Sequence, residues 1–289
     1  MWRRRRRRHC LVSGPELAEA GQLGVAAGDY VLCRRQGASH AEVLEVRAGG
    51  GDVCWYGTCL EAGSCHSEVM CTVRAGVDLR SYSLWRRLGA SHAEALDAHA
   101  AGITASLYAV PVEAGASHGE AVEAHLAGLE LDAYAACLLA GAEHWEVLQV
   151  HRLGAGTLAY ALCRQAGASH EDAVRAHRAG VAMSDYARCR QAGASHDEIV
   201  LAHDDGLRLS WYARCREVGA GHAEATLLGC SNAVASRSRA QLAVSALRLA
   251  VGSHPDELVG EIVAGLVQDW DGCAMDLATT VRALLGSAA

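Results

Sequence analysis

The sequence predicts an all-α chain: an α-solenoid of about nine 26-residue helix-turn-helix repeats followed by a C-terminal helical cap. Three periodic features predict it. Histidines recur every twenty-six residues at His40, His66, His92, His118, His144, His170, His196 and His222. Tyrosines recur in the same register from Tyr30 to Tyr212. A glycine follows each tyrosine by seven residues, from Gly37 to Gly219, and a second glycine closes the other half of the unit, from Gly50 to Gly206. A fixed period of this length marks stacked supersecondary units, each too small to bury its own apolar face.

Residues 1–12 stand outside the register. Arg3 to Arg8 place six positive charges there, a run expected to form a disordered arm or to reflect an over-extended start, with a nucleic-acid or membrane-surface arm as the other reading. No apolar stretch of signal-peptide length follows the arginines, and no window reaches the ~20 apolar residues of a spanning helix. A soluble cytoplasmic protein that does not enter membranes is expected.

The array itself is expected over residues 13–230. Its helix starts are written as S-x-x-E capping boxes, Ser39 with Glu42, Ser91 with Glu94, Ser117 with Glu120 and Ser195 with Glu198; Ser13 with Glu16 carries the pattern back to residue 13. The glycines read as C-caps, where a left-handed backbone is needed. Each unit then holds two helices of roughly ten residues, about 15 Å long. Such helices are too short to persist alone, so neighbours must stabilise them. In the second helix His170, Ala173, Val174 and His177 fall at i, i+3, i+4 and i+7, and this is the face expected to be buried. Pro111 removes an amide within a first helix and is expected to disturb it.

Composition fits a core of small residues, because 51% of the chain is hydrophobic while only 5% is aromatic and no phenylalanine occurs. All 26 basic residues are arginine, which suggests a GC-rich coding genome. After Cys230 the register stops. Over residues 231–289 the segments Ser238 to Val251 and Ser253 to Trp270 read as amphipathic helices, the second with Ser253 as N-cap, and a third helix ends at Leu285. They would cap the array or form a small separate module.

The chemistry-bearing residues are periodic rather than convergent. Cys33, Cys59, Cys137, Cys163, Cys189 and Cys215 share one position three residues after the tyrosine and read as reduced packing residues. With the histidines they also stand in C-x6-H-x6-H sets, such as Cys163, His170 and His177, a possible zinc arrangement. Trp85 and Pro111 replace the thiol in two units that keep both histidines, so no metal is expected; a histidine bonded to a backbone carbonyl or a tyrosine hydroxyl is the simpler reading. The cluster Cys54, Cys59, Cys65 and Cys71 lacks C-x2-C spacing. No nucleophile elbow, P-loop or dinucleotide fingerprint occurs, and neither catalysis, a cofactor nor a small-molecule substrate is expected.

The variable residues carry the functional expectation. Counting the periodic histidine as one, positions two, six and nine lie opposite the buried face and change freely: Trp145, Gln149 and Arg152, then Glu171, Arg175 and Arg178, then Asp197, Leu201 and Asp204. A constant frame with variable exposed residues suits a scaffold that binds a protein partner. The alternative is a nucleic-acid reader using the arginine column Arg34, Arg86, Arg164, Arg190 and Arg216 with the N-terminal arginines, although Leu60, Val112 and Leu138 interrupt that column. The net charge of −7 favours the protein partner.

In architecture the units resemble the helical-hairpin solenoids, the broad class that includes tetratricopeptide, ankyrin and HEAT repeats, TAL effectors and PUF proteins. The period here is shorter than theirs, and neither the Trp-Leu-Gly-Tyr pattern nor Thr-Pro-Leu-His appears. The unit Tyr-Ala-x-Cys-Arg-x-Ala-Gly-Ala-Ser-His-x-Glu-Ala also resembles repeats of uncharacterised proteins from high-GC actinobacteria. That resemblance implies no function.

Overall fold

The computed structural model describes residues 12–229, 236–251, 257–267, 270 and 273–288, and every described element is helical. Arg3 to Arg8, Cys230 and the proposed N-cap Ser253 lie outside the described residues. The helices carrying the tyrosines are α2 (Ala27–Arg35), α4 (Val53–Glu61), α6 (Leu79–Arg87), α8 (Ala105–Glu113), α10 (Leu131–Leu139), α12 (Thr157–Gln165), α14 (Met183–Gln191) and α16 (Leu209–Glu217). Alternating with them are α1 (Gly14–Gln22), α3 (His40–Ala48), α5 (His66–Arg74), α7 (His92–Ala100), α9 (His118–Leu126), α11 (His144–Arg152), α13 (His170–Arg178), α15 (His196–Asp204) and α17 (His222–Gly229), all but the first opening on the periodic histidine. Three further helices follow: α18 (Arg237–Val251), α19 (Glu257–Val267) and α20 (Ala274–Ala288).

The nine-residue length follows from punctuation at both ends. Gly167 takes φ +77° after α12, its amide donates to Arg164 O at 2.9 Å and the Ala168 amide donates to Cys163 O at 3.0 Å. That is a Schellman cap, and it recurs at thirteen-residue intervals from Gly24 to Gly219. The next residue but one starts the following helix. Ser169 Oγ accepts the Asp172 amide, while the five S-x-x-E boxes from Ser13 to Ser195 form in full. Both halves of the unit therefore have one length, nine helical residues joined by four.

Two compact units divide the chain, residues 1–135 and 136–289. In the first, α2, α4, α6 and α8 pack in succession, closely enough that a Cβ on Gly57 would lie 2.9 Å from Leu32 Cγ. In the second, α12, α14 and α16 pack in the same way. Within each unit the histidine helices meet one another at fewer places than the tyrosine helices do, as α3 with α5 and α13 with α15 show. Close contact in one row and looser contact in the other leaves open grooves between successive histidine helices.

The core is built from the tyrosine rings, the thiols of the cysteine column and small aliphatics, with Tyr30 through Tyr212 at most 2% exposed. The buried stripe of the histidine helix differs from the expected one. In α13 it is His170, Ala173, Val174 and Ala176, and His177 sits at its margin. Ala176 lies on the inner side because the stripe centres between Ala173 and Ala176. The expected face was turned by about one residue.

Pro111 leaves α8 intact, contrary to expectation. The helix runs from Ala105 to Glu113 with Thr104 as N-cap, and the Ala116 amide donates to Pro111 O as its counterparts do elsewhere. Only two helical residues follow Pro111, so a single i→i−4 bond is forfeited close to the end. The ring fills the buried place that cysteine holds in other units.

Beyond α17 the stacking continues. α18 packs on α16 and α19 on α17, and α20 closes against α18 and α19. None of the described helices is long and apolar enough to cross a membrane.

Candidate interaction surface

The periodic histidines His40, His66, His92, His118, His170, His196 and His222 are each held by the tyrosine ten residues before them. Tyr30 Oη lies 2.8 Å from His40 Nδ1, Tyr56 3.0 Å from His66, Tyr160 2.8 Å from His170, Tyr186 3.1 Å from His196 and Tyr212 2.9 Å from His222. At His40, His66 and His170 the other ring nitrogen reaches position six of the preceding unit. His40 Nε2 is 3.1 Å from Glu19 Oε2, His66 Nε2 3.0 Å from Glu45 Oε2 and His170 Nε2 3.0 Å from Gln149 Oε1. A carboxylate only accepts, so in the neutral ring Nε2 carries the proton and Nδ1 accepts from the tyrosine O–H. Burial lowers the His170 pKa, which favours that neutral form.

The cysteine column points into the joints between units. Cys163 Sγ donates to Met183 O, Cys33 Sγ to Val53 O and Cys137 Sγ to Thr157 O, all at 3.3 Å. These thiols are free, and burial pushes that of Cys163 up to about 12, so it stays protonated at neutral pH. Among the described residues no group of three His, Cys, Asp or Glu side chains is placed to hold a metal ion. The C-x6-H-x6-H spacing does not bring its members together: Cys163 faces the next unit, and His177 Nε2 reaches Leu153 O at 3.4 Å in the preceding one. A protonated thiol and a hydrogen-bonded neutral imidazole offer packing and orientation, not a nucleophile.

The arginine column is drawn into the backbone. Arg164 Nη2 donates to Gly141 O at 2.8 Å, Arg190 to Gly167 O at 3.3 Å and Arg216 to Gly193 O at 2.9 Å, each carbonyl belonging to the turn after the preceding tyrosine helix. Arg34, Arg86 and Arg190 also donate to the turns that close their own helices, at Ala38 O, Ala90 O and Ala194 O. Arg164 and Arg216 further pair with the N3 glutamates Glu146 and Glu198, at 3.5 and 3.3 Å. Positive charge at helix C-termini is well placed against the macrodipole. The side chains of Arg34, Arg86, Arg164 and Arg216 are only 13–19% exposed.

One member of this set had no signal in the repeat register. Arg248 of α18 donates to Gly219 O at 2.6 Å and pairs with Glu224 at 2.6 Å, the contacts Arg216 makes one unit earlier. It lies thirty-two residues after Arg216 rather than twenty-six, which hides it from a periodic reading. The Gly219 cap and the Glu224 at N3 of α17 were the available clue, since both leave a place for an arginine.

The variable positions lie where the sequence placed them, on the outer face. Trp145 is 54% and Leu201 51% exposed, and Arg152, Glu171, Arg175, Arg178, Asp197 and Asp204 are exposed while Gln149 is half-buried. They come together in two grooves. The one between α11 and α13, about 400 Å³, is lined by Trp145 and Gln149 on one wall and by Glu171, Val174, Arg175 and Arg178 on the other, with His170 at its floor. The next, between α13 and α15, is about 310 Å³ and holds Arg175, Asp197, Leu201 and Asp204 around His196. Trp145 leans edge-on against His170 with ring centroids 5.0 Å apart, and its indole N–H donates to Glu143. Arg152 does not line either groove. Arg175 lines both, so each groove is composed by two successive units.

No protein-family model matches the sequence, and no curated protein matches it.

Proposed function

We propose that this chain is a non-catalytic repeat scaffold that binds a protein partner along the grooves between successive histidine helices. The observation that carries the reading is the contrast between the two sets of polar residues. The recurring ones, the tyrosine and histidine of every unit and the cysteine and arginine of most, are spent on joints between helices. The variable ones at positions two, six and nine, among them Trp145, Arg175, Arg178, Asp197 and Asp204, face outward around shallow open clefts. A frame that holds constant while its outer residues change is how repeat arrays present a partner-specific surface. Exposed Trp and Arg are also the residue types enriched at binding hot spots. Thiols buried singly in successive units suit a reducing, cytoplasmic setting.

The nucleic-acid reading loses its main support here. Arg164, Arg190 and Arg216 already satisfy carbonyl and carboxylate oxygens, so binding phosphate would first require breaking those bonds.

The test uses the full chain as bait in extracts of its own cells. Replacing Trp145, Arg152 and Arg178 together by Ala should abolish partner capture while the helical circular dichroism stays unchanged. Tight, steeply salt-dependent binding of DNA or RNA by the chain lacking its arginine arm would overturn the reading.

A further inference from the structure

The two grooves differ at their floors. Between α11 and α13 the His170 Nε2–H is satisfied by Gln149, as His40 is by Glu19 and His66 by Glu45. Between α13 and α15 the equivalent position six is Arg175, which cannot accept a hydrogen bond and whose guanidinium pairs instead with Asp172 at 2.7 Å. His196 keeps its bond to the Tyr186 hydroxyl through Nδ1 and is only 9% exposed, yet among the described residues nothing accepts from its Nε2–H. That donor is aimed into the groove. Around it stand Asp197 and Asp204, with no ion pair among the described residues, and between them the exposed Leu201 and the half-buried Val200.

We propose that the α13–α15 groove is a pocket for a cationic segment of a partner protein. His196 Nε2–H donates to a main-chain carbonyl oxygen of the segment, and Asp197 and Asp204 hold one Lys or Arg side chain whose alkyl stem lies on Leu201 and Val200. The proposal rests on the protein-binding reading above and specifies the chemistry of one of its clefts. Three properties of the groove select this occupant. The His196 Nε2 opens on the groove without a protein acceptor among the described residues, and a peptide carbonyl pairs with it without adding charge beside the aspartates. Two unpaired carboxylates flanking an aliphatic side chain match the amphipathic form of Lys and Arg, a charged head on an apolar stem. The only cation on the walls, Arg175, is neutralised by Asp172, and the chain carries a net charge of −7, which steers basic partners toward it.

The experiment titrates the full chain, with its histidines labelled with ¹⁵N, using nonapeptides of Gly, Ser and Leu that differ only at a central Arg, Lys, Leu or Glu. The Arg and Lys peptides should bind on the order of tenfold more tightly than the Leu and Glu peptides, a difference that shrinks with added salt. They should shift the His196 Nε2 resonance while that of His170, closed by Gln149, stays in place. Changing Asp197→Asn and Asp204→Asn together, both at exposed positions, should remove the preference for Arg and Lys. Equal affinity across the four peptides, no binding by the Arg peptide, or a preference untouched by the double variant overturns the proposal. Loss of natural-partner capture on Arg178→Gln with no loss on the double aspartate variant would also overturn it, while leaving the protein-binding reading standing; failure to capture any partner counts against that reading itself.

Discussion

The tyrosine–histidine bond repeats along the array, so its worth is best tested once, at a unit where both rings are buried. Tyr160→Phe keeps the ring and removes the hydroxyl that His170 Nδ1 and the Glu146 carboxylate share, in a site water reaches poorly. We expect a loss of about 1–3 kcal/mol, read from the urea midpoint. An unchanged midpoint would mean that the ring alone carries the site. The same histidine sets a pH dependence. Its folded pKa is depressed by burial, so its contribution is complete above the unfolded value of 6.5 and is lost as pH falls through the folded value. The N3 glutamates act in the same direction at lower pH: Glu42 and Glu94 are held below 4.5, chiefly by the Ser39 and Ser91 amides, and their contribution goes as pH falls through their folded values. Melting temperature should therefore fall in two stages on acidification. His170→Gln should flatten the upper stage alone. Thiol chemistry offers a third test: Cys54, Cys65 and Cys71 are exposed and should react quickly with a disulfide reagent, whereas Cys163, protonated and buried, should react only on unfolding. Rapid labelling of Cys163 in the folded chain would refute its place in the core.

At the scale of the helix, the arginine column and the glycine caps act together at the same turns. Changing Arg164 to Gln removes two oxygen contacts on a mostly covered guanidinium and leaves Glu146, itself buried, without its cation. We expect a destabilisation of about 1–2 kcal/mol, measured by denaturant titration, with no direct effect on the outer grooves. Pro111 tests the opposite case. Replacing it by Cys restores both the missing amide and the side chain found in neighbouring units, and should raise stability by about 1–3 kcal/mol. A fall would show that α8 depends on the proline ring. Helix positions and lengths were legible in the sequence because a glycine follows each helix from α1 to α16 and serine–glutamate boxes start five of the alternate ones, both through backbone chemistry that is purely local. The integrity of α8 was not, since the cost of a proline depends on how many helical residues follow it. The role of the arginine column was also hidden. A periodic exposed-looking arginine reads alike whether it faces phosphate or a carbonyl one unit away, and only three-dimensional stacking places Gly141 O beside Arg164. The outer positions, by contrast, could be read directly, because variation between units in one chain reports freedom from packing. His177 was misplaced by a single helical step, which is the resolution limit of a face inferred from 3.6-residue periodicity over nine residues.

Across the whole molecule, stability is distributed over nearest-neighbour joints rather than gathered in one core. The joints draw on one set of contacts, a tyrosine ring against its neighbours throughout and, at most of them, a thiol to a carbonyl or an arginine to a turn. Unfolding of such arrays departs from two-state behaviour when one joint is much weaker than the rest. A substitution at one joint, such as Arg164→Gln, should accelerate amide hydrogen exchange in α10 to α13 and leave α2 to α6 unchanged. Uniform acceleration along the chain would indicate a single cooperative block instead.

The sharing of Arg175 between two grooves bears on how such a chain could change what it recognises. Because one wall of every cleft comes from one unit and the other wall from the next, a unit has no meaning by itself; its contribution is spelled only in combination with its neighbour. Exchanging a single 26-residue block rewrites two adjacent clefts at once, whereas inverting the order of two blocks creates clefts present in neither arrangement. The vocabulary available to an array of this kind therefore grows with the number of unit pairs, and a few block types in new orders reach surfaces that point substitutions would approach only slowly.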